Sequence, residues 1–135
     1  MGVFLRKDFI VIDLRHKLYD LSKLQEIAQG DEAFVRDMLE TFVSNVADDV
    51  GKMQTFLRVK DWASIASIAH KLVSRFAYLN ASELQELSID VENSIQIDNN
   101  LTGIDEKADK LCKESIVLIE KLKEDFSFLS KSVEV

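Results

Sequence analysis

Apolar residues recur every three or four positions along most of this chain, and the rhythm breaks where capping residues cluster. The stretch YDLSKLQEIAQGDEAF (19–34) reads as a short helix followed by the start of a long one. Asp20 or Ser22 caps the first, Gly30 suits the left-handed position after its end, and Asp31 caps the second. The second carries Phe34, Met38, Phe42, Val46, Met53, Phe56 and Leu57 at helical spacing and is expected to run to about residue 58. Gly51, inside it, fits either a close helix contact or an exposed face. A third helix starts at the Asp61 cap with Trp62 and ends at Asn80. Ser82 is expected to cap a fourth with Leu84, Leu87, Val91 and Ile95. After the turn DNNLTG (98–103), a fifth repeats Ile104, Ala108, Leu111, Leu118, Leu122 and Leu129. Amphipathic helices with short links predict an all-α fold over residues 20–130, an antiparallel four-helix bundle with an additional short N-terminal helix. Residues 1–19 are either an N-terminal extension covering one end or a linker.

Composition agrees: 135 residues make one domain, and with no proline and four glycines long helices are permitted while tight turns are scarce. The 17 basic and 24 acidic residues leave a net charge of −7, which repels phosphate backbones and anionic lipid. Neither nucleic acid nor a membrane is therefore expected as a partner. The single cysteine, Cys112, forms no intramolecular disulfide, falls in an apolar helical stripe and reads as a small core residue, so a reducing cytoplasmic location fits. FIVI (9–12) is too short for a signal core or a span. In MGVFLR, Arg6 stands where a myristoylation signal takes Ser or Thr.

Candidate chemistry centres on IASIAHKLVSRFAYLNAS (65–82). Trp62, Ile65, Ala69, Leu72, Phe76 and Leu79 share one helix face, and His70 lies roughly 140° from its centre. The imidazole therefore points outward. Its neighbours on the wheel, Ala63, Ser74 and Ala77 with Ser67 and Val73 further round, are short where an exposed face usually carries Lys, Glu, Gln or Arg. That surround suits a nucleophile that must enter another protein's cleft, and spacing alone equally allows an incidental surface histidine. Positions 66, 67, 73 and 74 are Ala, Ser, Val and Ser, so no metal ligand lies one turn from His70 and no metal site is expected. The other histidine, His16 in DLRHKLYDL, has charged neighbours and reads as a plain surface or linker residue.

The segment from about Asp20 to Ile95 resembles a histidine-containing phosphotransfer (HPt) domain. Such domains read A-H-x-L-K-G-S-S-x-x-L-G-A around the phosphorylated histidine, and Ala69, His70, Leu72, Leu79 and Ala81 match that pattern. GDEAFVRDMLETFV, KDWASIASIAH and LQELSIDVE are similar to the flanking helices in order and spacing. The family's lysine is Val73 here, its first glycine Ser74 and its later glycine Asn80. Asparagine is the next-best residue for a left-handed helix end, and serine stays small beside the ring. Lys71 and Arg75 are the candidates to supply the missing lysine's charge to a phosphoryl group, with the Ser74 hydroxyl placed to steady the ring.

The resemblance implies a phosphoryl carrier, not an enzyme with a pocket. His70 would be the phospho-acceptor, relaying between response-regulator receiver aspartates or from a hybrid histidine kinase, with the receiver supplying Mg²⁺. No cofactor of its own is implied, and no glycine-rich phosphate loop is present. Docking is expected on the short patch of Ala63, Ser67, Val73 and Ala77 plus apolar surface of the second and third helices. The rival reading, motivated by Val73 and Ser74, is a module of the same shape that binds a receiver or another signalling partner without taking phosphate. A hydrolase or metalloenzyme has no supporting motif.

Overall fold

Asp31 and Asp61 begin the two helices that build the site, each accepting from the amide three residues on: Phe34 N–H at 3.1 Å and Ser64 N–H at 3.2 Å. In the computed structural model, which describes residues 18–129, the elements are α1 (Ser22–Ala28), α2 (Glu32–Arg58), α3 (Trp62–Tyr78), α4 (Ser82–Gln96) and α5 (Ile104–Asp125). Among the described residues the fold is all helical, and α1 is the short N-terminal helix. The expectations for MGVFLR, FIVI and His16 fall outside the described residues.

The long helices follow one another around the bundle. α2 packs on α3, α3 most extensively on α4, α4 on α5, and α5 returns to α2. The apolar stripe of α3 is wider than its wheel suggests: Ala66 and Ile68 are buried alongside Ile65, Ala69, Leu72 and Phe76, because the helix is covered on both flanks. Phe76 meets Phe42 of α2 edge-on, with ring centroids 6.1 Å apart. Trp62 is only half-buried, with the Lys60 ammonium 5.7 Å from its ring centroid. Where helices approach closely, Ser88 and Ser115 are buried and return their hydroxyls to the Leu84 and Leu111 carbonyls four residues back.

Two cap expectations need correction. Ser82 does not cap α4. Ala81 holds that position without a side-chain hydrogen bond, and its own amide donates to the Phe76 carbonyl, so the α3–α4 turn closes through backbone. At α1 the cap position is Leu21; Asp20 lies one residue earlier and accepts from the Ser22 amide at 2.6 Å. Gly30 is left-handed as expected, but Gln29 before it is left-handed too. Asn80, with φ of 50°, ends α3 in the left-handed conformation its identity suggested.

The chain before α1 closes the end of the bundle where α3 and α5 finish. The Asp20 amide donates to the Leu79 carbonyl at 2.8 Å, and the buried Tyr19 hydroxyl donates to Asp125 Oδ2 at 2.5 Å. Burial first, and then that carboxylate, push the Tyr19 phenol well above its ordinary range. Cys112 is buried in the α5 stripe as expected. Its thiol is pushed up to about 11 by burial, with Asp109 adding to the effect, so it is a packing residue and a poor nucleophile.

Gly51 occupies the exposed face of α2, and a Cβ there meets no atom within 4 Å. The close-contact alternative is therefore unnecessary. Gly51→Ala should stabilise the protein by about 0.5–1 kcal/mol through helix propensity alone. Chemical denaturation checks this, and a loss of stability would show that the glycine serves a contact after all.

Candidate phosphoacceptor site

His70 is the ninth of the 17 residues of α3, as far from either helix end as the element allows. Its side chain is 73% exposed, so the apolar stripe of α3 has turned the ring outward as the periodicity required. Nδ1 lies 2.8 Å from Glu92 Oε2, a side chain of α4 that is only 20% exposed. A carboxylate only accepts, so Nδ1 carries the proton in this contact. In the neutral ring that tautomer leaves the lone pair on Nε2. The glutamate thus fixes both the ring's orientation and which nitrogen of the neutral ring holds the free lone pair.

Glu92 is the partner of His70 that sequence reasoning missed, since that reasoning sought partners one turn away on the same helix. A signal was available. α3 and α4 form a hairpin turning at Leu79 to Ala81, so residues similarly distant from the turn face each other, and His70 and Glu92 stand ten and twelve positions from Asn80.

The other expected site residues distribute unevenly. Ala63, Ser67 and Ser74 are exposed on the His70 side of α3, whereas Val73 and Ala77 are half-buried. The Ser74 hydroxyl donates to the Lys71 carbonyl at 3.3 Å and so contacts the helix backbone, not the imidazole. Lys71 is exposed, and its ammonium has no ion-pair partner among the described residues. Arg75 is committed elsewhere: its Nε donates at 2.7 Å to Asp49 Oδ2 on α2. Asp49 is buried and Arg75 is 29% exposed, so the pair ties α2 to α3 from within the interface. Among the described residues, no group of three or more His, Cys, Asp or Glu side chains is placed to hold a metal ion, and no helix is long and apolar enough to cross a membrane.

A bundle that presents one histidine from the middle of a helix flank, locked by a carboxylate from the next helix, has the form of a histidine phosphotransfer module. The family model of the Hpt domain matches residues 37–125, and the chain belongs to that family. The match covers His70, Glu92, Asp49 and Arg75, and begins after α1. Among curated proteins the chain is similar to the virulence sensor protein BvgS of Bordetella bronchiseptica and that of Bordetella parapertussis, each 23% identical over 78 residues. The aligned stretch is 58% of this chain and 6% of either relative, so the chain spans a small fraction of their length. No solved structure gives a match.

Proposed function

We propose that this chain is a phosphoryl carrier in a two-component phosphorelay, with His70 Nε2 as acceptor. The observation that carries the reading is the exposed ring held through Nδ1 by Glu92. Nε2 attacks phosphorus in line with the P–O bond of a receiver domain's aspartyl phosphate. A P–N bond forms, the P–O bond breaks, and the aspartate leaves as carboxylate. The Nδ1 proton stays in place facing Glu92, which stabilises the positive charge that develops on the ring. The reverse step delivers the group to a second receiver aspartate. Positioning and charge neutralisation dominate such transfers, so the carrier needs only an unobstructed, correctly oriented nucleophile. The divalent cation comes with the receiver. Of the two candidates, Lys71 rather than Arg75 would meet the phosphoryl oxygens, since it is exposed next to His70 in sequence and Arg75 is bound to Asp49. Ala63, Ser67, Val73 and Ala77 form the low shelf on which a receiver docks.

Incubation with a panel of phosphorylated receivers, followed by mapping of the modified atom, tests this. Label on His70 Nε2 is expected, and label at Nδ1 or on another residue would sink it. The second reading, a binding module without chemistry, is favoured by the half-buried Val73 at the family's lysine position, and it requires receiver binding with no uptake.

Glu92 has its own expected effect. Glu92→Ala frees the ring to rotate and to take the other tautomer, so phosphoryl uptake should slow on the order of 10–100-fold. The contact is largely solvent-exposed on the histidine side, so stability should change by less than about 1 kcal/mol. Rapid-quench uptake kinetics and urea titration check the two halves, and an unchanged rate would leave Glu92 without a role in transfer.

A further inference from the structure

A groove of about 790 Å³ runs along the end of the bundle opposite the α4–α5 turn, and its apolar lining is Leu21, Ala28, Val35, Leu39, Phe126 and Phe128. Of these, only Leu39 lies within residues 37–125, so the groove is built almost entirely from parts of this chain outside the family match. Its walls are firmly made. Phe126 packs against Tyr19 and Phe128 with centroids 6.4 and 6.0 Å away, and the Arg36 guanidinium sits 4.6 Å over the Phe128 ring.

The N-terminal segment meets the described chain beside this groove. Tyr19 is anchored by its hydrogen bond to Asp125, and Leu21, two residues on, already lines the groove. Residues 9–12 read Phe-Ile-Val-Ile, a run too apolar for an exposed linker and too short for a membrane span. The five residues between that run and Leu18 reach up to about 17 Å when extended. Charges complement as well. Asp31 and Glu32 on the rim are opposite in charge to Arg6, Lys7, Arg15 and Lys17, which flank the run in sequence, and Arg36 is opposite in charge to Asp8 and Asp13.

We infer that residues 9–12 of the same chain seat in this groove as a strap across α1, the start of α2 and the residues after α5. The strap covers the half-buried faces of Val35, Phe126 and Phe128 and holds α1 on the bundle. α1 has only Leu24 and Ala28 fully buried to hold it. The inference is independent of the phosphotransfer reading, since the groove does not include His70.

Disulfide trapping in the full chain tests it. Ala33 is exposed and lines the groove, so Ala33→Cys is tolerated, and the buried Cys112 does not compete. Val11→Cys with Ala33→Cys should form an intrachain disulfide at a rate independent of protein concentration. That rate should be at least tenfold above the rate for Val11→Cys with Thr55→Cys, which lies about 33 Å further along α2. Equal rates for the two pairs would overturn the strap. Interchain products would assign the groove to a second copy, and faster trapping from Ser132→Cys would assign it to the C-terminal residues; either overturns the proposal.

Discussion

Replacing His70 by glutamine should reduce acid-labile phosphorylation by a charged receiver to background while the fold stays intact. The glutamine amide can still donate to Glu92, so the contact between α3 and α4 survives the change. Its nitrogen lone pair is delocalised into the carbonyl and does not attack phosphorus. The side chain at position 70 is 73% exposed, and surface substitutions of this kind usually shift stability by about 0.5 kcal/mol or less. Uptake of radiolabelled phosphate with parallel circular dichroism makes the measurement, and His16→Gln serves as the control that should retain full uptake. Label persisting in His70→Gln would remove His70 as acceptor.

The second large effect concerns stability. Arg75→Ala should cost about 3–5 kcal/mol, because it strands the Asp49 carboxylate at 3% exposure without its cation. Asp49→Ala should cost less, about 2 kcal/mol, since the partly exposed guanidinium left behind can turn toward water. Removing both charges, as Asp49→Leu with Arg75→Met, should fall closest to the parent, because an apolar pair of similar volume has no desolvation to offset. The order of the three, read from urea midpoints at constant m-value, is the diagnostic. An Arg75→Ala loss under about 1 kcal/mol would mean that water reaches Asp49 and that the pair does not tie α2 to α3. The same series bears on mechanism: if Arg75 also met phosphate, the double variant would regain stability without regaining uptake.

Much of the bundle was legible from local signals. Asp31 and Asp61 announce helix starts because an aspartate oxygen reaches the amide three residues on, a contact decided within one turn. Asn80 announces a helix end because few residues other than glycine enter the left-handed region cheaply. Ser82 misled because its neighbour's amide was already satisfied by a carbonyl of the preceding helix. The buried serines 88, 94 and 115 were silent for a related reason. Ser88 and Ser115 bond their own backbone, and only the neighbouring helix decides that they are covered.

At the site the division is sharper. The outward direction of His70 followed from the chain alone, because the angle between an apolar stripe and one more residue depends only on helical pitch. The groups bonded to His70 and Arg75 did not. Glu92 lies 22 residues from His70 and Asp49 lies 26 from Arg75, and each meeting depends on how two helices slide and rotate against each other. That register is set by the summed packing of the whole interface, not by any residue's own propensity. The sequence by itself therefore determined that an imidazole faces solvent, and the tertiary structure decided which of its nitrogens meets a carboxylate.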